Sequence, residues 1–179
     1  DPLHPPLLRP ARVGGPRCYN FSLGKPLTQH PLAAVALQLI ELACGAGDVE
    51  QGRIGELLRH PCWSAAIREA DARARLEALM REKLPATTSV ARVLSFAQWF
   101  DEDNEPRTLS QLVANLNAIE STRREWKRRA LPSQWATCFR SLLPVAGWPG
   151  ERTLSSHEFQ AQRAFIDEHF RENFIEVYA

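Results

Sequence analysis

No stretch of this 179-residue sequence is apolar for long enough to cross a bilayer, which takes about 20 residues, so no membrane-spanning helix is expected. Neither sign of charge prevails: 22 Lys and Arg stand against 21 Asp and Glu, for a net charge of +1. Composition therefore singles out no acidic, nucleic-acid or membrane partner, and any electrostatic role has to come from local clustering. Cysteine is sparse and poorly spaced for metal. Cys18, Cys44, Cys62 and Cys138 form no C-x-x-C, and no His follows such a pair. Cys44 and Cys138 fall in helical patterns, where a thiol acts as a small hydrophobe, and the four read as free thiols in a reducing cytoplasm. The single methionine is Met80 and residue 1 is Asp, so the chain is expected to be a domain from a longer protein.

Catalytic signatures are also missing. Gly24-Lys25 resembles the end of a phosphate-binding loop, but Pro26 follows where that loop needs Ser or Thr, and Gly14 and Gly15 lie too far upstream. No Ser or Cys stands in a nucleophile-elbow context. The histidines His4, His30, His60, His157 and His169 are scattered, none at i, i+4 from another ligand. No catalytic, cofactor-binding or metal-ligating residue is assigned.

What is present is helical periodicity. Four prolines in the first ten residues make residues 1–17 read as a linker, and Cys18 to Leu23 has room for a short extended strand. Pro31 can open a first helix ending at Gly45, with only Gln38 and Glu41 marking a polar side. Asp48 and Gln51 are read as a capping pair for a second helix, ending before Pro61. A third is expected from Ser64 to Lys83, with Ile67, Ala70 and Ala74 on its apolar stripe. Val90, Val93, Leu94 and Ala97 recur at i, i+3, i+4, i+7 in a fourth. Asp101 to Pro106 reads as an acidic loop. Thr108 and Gln111 suggest a capping box for the longest helix, to about Ala130. A sixth covers "PSQWATCFRSLL", and Ser155 with Glu158 forms a capping box for the last. The expectation is a predominantly all-α domain of about seven helices over residues 18–161, with a C-terminal helix or tail at 162–179.

Two clusters remain. Glu125-Trp126-Lys127 spells the E-x-K of restriction-type nucleases, with Asp101 or Asp103 as imaginable partners. It lies in a helical run, however, where i and i+2 face different sides. The surrounding "RREWKRR" offers Arg123, Arg124, Lys127, Arg128 and Arg129 as candidate DNA contacts, with Trp126 able to stack. Against that, cations ending a helix complement its dipole without a ligand, and Trp126 continues the apolar face of Leu112 and Ile119. All five tryptophans, Trp63, Trp99, Trp126, Trp135 and Trp148, fit packed positions better than a ligand cage.

Three longer stretches carry a resemblance. "YNFSLGKPLTQHPLAAVALQLIELA" resembles a segment of superfamily 1 helicase-related proteins in which an extended turn and a Pro lead into a Leu/Ala-rich helix. "GRIGELLRHPCW" resembles an "LL-(K/R)-S-P" helix end in the same proteins. "LPSQWATCFRSLLPVAGWPGERTLSSHEFQA" is similar to a segment of bacterial probable DNA repair proteins, AddB/RecB-like chains with a helicase-like body and a C-terminal PD-(D/E)XK nuclease. The resemblance covers roughly residues 12–161. It implies a non-catalytic helical accessory domain of a DNA-repair helicase/exonuclease, cytoplasmic, that positions single-stranded or duplex DNA. The competing expectation is a module docking on other domains of the parent chain. That family's phosphate loop and nuclease residues fall outside this stretch, so ATP and Mg²⁺ would belong to the parent.

Overall fold

Pro31 sets the first turn of α1 (Pro31–Cys44), and the side chain of His30 accepts the Leu32 N–H at 3.3 Å, so an imidazole serves as the N-cap. A single 3₁₀ turn, Leu27–Gln29, leads into it, and Gly45 closes it. The computed structural model describes residues 27–45, 49–103, 108–127 and 129–169, with side chains as far as Asp167. The linker at 1–17, the strand expected over Cys18 to Leu23, the Gly24-Lys25 pair, Asp48 and the tail from residue 170 lie outside the described residues.

Among the described residues the chain forms seven α-helices and one minimal sheet, in keeping with the all-α expectation. After α1 come α2 (Gln51–Arg59), α3 (Ala70–Lys83), α4 (Val90–Asp103), α5 (Ser110–Glu125), α6 (Pro132–Val145) and α7 (Ser156–Ala164). A π-helical turn, Phe165–His169, follows α7. The sheet pairs β1 (Val49–Glu50) with β2 (Thr87–Thr88), antiparallel, Val49 opposite Thr88. Two residues per strand are too few for an alternating pattern to be read from sequence.

One apolar core runs from Leu32 to Phe165. It takes Leu32, Val35 and Leu39 from α1, Leu57 and Leu58 from α2, Leu76 and Met80 from α3, and Leu112, Leu116 and Ile119 from α5. At about 1.5–3 kcal/mol per buried aliphatic side chain, this burial holds the helices together. Two indoles join segments distant in sequence across it: Trp148 Nε1 donates to the Leu32 carbonyl at 2.9 Å, and Trp63 Nε1 to the Ala146 carbonyl at 2.6 Å.

Several helix boundaries differ from the periodicity reading, each for a tertiary reason. The third helix begins at Ala70, not Ser64, because residues 61–69 form turns in which Ala65 takes a φ of 58°. Its buried face is Ala72, Arg73, Leu76, Glu77 and Met80, whereas Ile67 is 70% exposed and Ala70 and Ala74 face solvent. The stripe was misread because Arg73 and Glu77 are buried by pairing, which apolar periodicity cannot register. Of the acidic loop expected over Asp101 to Pro106, Asp101, Glu102 and Asp103 belong to α4, and Asn104 to Arg107 lie outside the described residues.

The starts of α2 and α5 are likewise not capped as the sequence suggests. Gln51 is the first residue of α2, its side chain donating to the Met80 carbonyl. In α5 the Thr108/Gln111 box does not form. Asp101 Oδ1 accepts from the N–H groups of Thr108 (2.8 Å) and Leu109 (2.7 Å), and Glu69 accepts from those of Gln111 (2.8 Å) and Leu112 (3.2 Å). Two carboxylates from outside the helix thus meet donors that a local cap would serve, and they lie where the dipole favours negative charge. The Ser155/Glu158 box does form, Ser155 Oγ accepting the Glu158 N–H at 3.3 Å and Glu158 the Ser155 N–H at 2.9 Å.

Cys44, read as a small hydrophobe within a helical pattern, is exposed at the end of α1. Trp99 is not packed inside either: it is 50% exposed, because 100° per residue turns it away from Val90, Val93, Leu94 and Ala97.

Candidate functional site at the corner between α5 and α6

The basic cluster lies where α5 ends, and it ends sooner than the sequence suggests. Trp126 adopts φ −72° and ψ 136°, leaving the helix, with its N–H on the Arg123 carbonyl at 3.2 Å. Trp126 keeps an apolar role from there. It meets Trp135 and Phe139 of α6 edge-on, each at 5.6 Å between centroids, while Trp135 and Phe139 stack at 5.6 Å. Such contacts contribute about 0.5–1.5 kcal/mol beyond area burial and fix the corner. Pro132 then opens α6, and Gln134 reaches back to accept the Leu131 N–H at 3.0 Å.

This break divides the five candidate cations. Arg123 and Arg124, in the last turn of α5, both turn onto Glu120, whose side chain is only 7% exposed. Arg123 donates through Nε (3.1 Å) and Nη2 (2.9 Å), and Arg124 through Nε alone (3.2 Å). The hydrogen bonds from Arg123 hold the Glu120 carboxyl below its ordinary range, with Arg124 adding to them, and they raise Arg123 in return. The Arg124 side chain is 74% exposed and keeps both terminal nitrogens clear of Glu120. Lys127 and Arg129 lie beyond the helix and are exposed; Arg128 lies outside the described residues. Leu131, 65% exposed, borders the same corner.

Sequence reasoning missed Glu120. The signal was available, since Glu120 stands at i−3 from Arg123 and i−4 from Arg124, the two spacings that meet on a helix. The E-x-K reading has no strand to stand on: Glu125 ends a helix, and Lys127 follows a residue that has already left it. Asp101, its imagined partner, is occupied with two backbone N–H groups. Among the described residues no group of three or more His, Cys, Asp or Glu is placed to hold a metal ion. Nor, among them, is any helix long and apolar enough to cross a membrane.

Comparison of the chain with family models, with curated proteins and with solved structures finds no match. The corner thus stands on its geometry: an aromatic anchor, a clamped carboxylate, and cations directed outward.

Proposed function

We propose that this chain is a helical accessory module of a DNA-repair helicase/exonuclease of the AddB/RecB-like kind. In this reading it performs no catalysis itself and helps to position DNA by contacting phosphates at the α5–α6 corner. The observation that carries the proposal is the outward set there: Lys127, Arg129 and the free edge of Arg124, held on a corner fixed by Trp126, Trp135 and Phe139. A guanidinium held at Nε by Glu120 presents its terminal nitrogens in a fixed fork, which suits a phosphate. Lys127 adds a point charge and Arg129 a second guanidinium, and contact with phosphates is independent of base sequence.

A second reading has its own observation. Arg123 and the Nε of Arg124 are committed to Glu120, as expected of residues that stabilise the module while another surface docks on the parent chain. Titration of a fluorescent single-stranded oligonucleotide, with a duplex in parallel, separates the two readings. Phosphate contact predicts affinity that falls with salt, by about 0.7 in logarithmic slope for each phosphate engaged on a single strand. Replacing Lys127 and Arg129 by Ala then lowers that slope by about 1.4. A docking module shows no binding at low salt.

A further inference from the structure

The outer face of α4 carries four residues within a narrow arc: Arg92, Phe96, Trp99 and Asp103, spaced by four, three and four. The opposite face holds the buried Val90, Val93, Leu94 and Ala97. Phe96 and Trp99 meet in a tilted pair, 5.3 Å between centroids and 40° between planes, with Phe96 half-buried against the core and Trp99 50% exposed. A lone exposed tryptophan needs no explanation, but an aromatic pair bracketed by opposite charges is a more specific surface.

The charges run against the helix that carries them. Arg92 sits in the first turn and Asp103 in the last, with Glu102 beside it, so each lies at the end where the dipole disfavours its sign. Neither Arg92 nor Asp103 forms an ion pair among the described residues. Turned antiparallel to an identical helix, both faults are repaired together. Phe96 and Trp99 are centred on the point midway between Ala97 and Gln98, and Arg92 and Asp103 are centred on that same point. One two-fold axis there sets Phe96 against Trp99 of the second copy and Arg92 against its Asp103, each contact made twice. Every cation then lies beside the neighbouring helix's C-terminus and every acid beside its N-terminus.

We propose that α4 is a self-association surface, pairing antiparallel with α4 of a second copy of this chain. The proposal is independent of the DNA reading, whose residues lie at the α5–α6 corner. A face on a single 14-residue helix falls in the small, reversible class of interfaces, so the dimer forms with rising concentration rather than being obligate. Sedimentation equilibrium of the full chain, from about 5 to about 500 µM, reads this directly. The expected result is a monomer–dimer equilibrium weakened at least tenfold by Trp99→Ala. Arg92→Glu or Asp103→Arg alone weakens it, and combining them restores it to within about twofold, because the double exchange rebuilds both pairs. All three positions are exposed and leave the core untouched. A monomer throughout the range overturns the proposal. So does a dimer indifferent to Trp99→Ala, or one that the double exchange fails to restore.

Discussion

Two regions of the molecule use the same chemical unit, a buried glutamate clamped by arginine, to opposite ends. Beside the turn between α2 and α3, Arg73 of α3 is fully buried. It donates to Glu69 at 2.9 and 3.1 Å, to the Ser64 carbonyl at 2.6 Å and to the Leu58 carbonyl at 3.4 Å, and it lies 5.2 Å from the Trp63 ring centroid. Glu69 spends its remaining capacity on the N–H groups opening α5. Burial pulls the Arg73 guanidinium down, and the Glu69 hydrogen bond opposes that. The unit is closed: its partners belong to α2, α3, α5 and the turns between them. At the α5–α6 corner, Glu120 is as deeply buried, but its arginines come from its own helix and reach solvent. The first arrangement joins elements into a fold, whereas the second leaves cations available at a surface. Burial of the acid is common to both. What differs is where the base can go.

Breaking the closed unit has the largest expected effect. Glu69→Ala leaves Arg73 buried without its partner and uncaps α5, costing about 3–5 kcal/mol in urea unfolding. The same region depends on Gly147, whose φ of 89° lets its carbonyl accept the Ser64 N–H at 2.9 Å. A Cβ there would lie 2.6 Å from both Asn115 Nδ2 and Ser64 Cβ, so Gly147→Ala should cost about 1–3 kcal/mol in the same assay. Glu120→Gln is the matching change at the open unit. Its arginines can rehydrate, so the expected cost is only about 1 kcal/mol. An equal cost for Glu69→Ala and Glu120→Gln would erase the distinction drawn between the two regions.

A smaller effect is expected at the start of α7, where Glu158 accepts from Arg152 Nη1 at 3.1 Å and from Ser155 N and Oγ, both at 2.9 Å. Arg152, and then Ser155, pull its carboxyl from 4.5 to about 2. A carboxyl depressed in the folded state stabilises fully above its unfolded value and loses that contribution as pH falls through the folded one. The wild-type melting temperature should therefore drop more steeply than that of Glu158→Gln between pH 4.5 and 2. Parallel curves would show that this box contributes nothing to acid stability.

The same contrast explains what the sequence could and could not disclose. α1 and α4 were legible because their stabilising faces are apolar and regular, and Ser155 with Glu158 because that cap is local. The turn at 61–69 was not. It depends on Ala65 in a left-handed conformation, on a buried Arg73, and on a bond from Trp63 to Ala146, 83 positions away. The start of α5 was misread because its caps, Asp101 and Glu69, come from elsewhere in the chain. At the corner, the cations and the packing of Trp126 could be read directly. The clamp of Glu120 was legible in its spacing from Arg123 and Arg124, whereas the early end of α5 at Glu125 was not.

The smallest expected effect on the fold accompanies the most direct test of function. Lys127→Ala with Arg129→Ala should change stability by under about 0.5 kcal/mol, since both side chains are exposed. Titrating the wild-type chain and this double variant into a fluorescent single-stranded oligonucleotide at low and moderate salt then isolates the corner. The account predicts salt-sensitive binding by the wild type, with both affinity and salt slope reduced in the variant. Absence of binding at low salt, or binding that the double variant leaves unchanged, would contradict it.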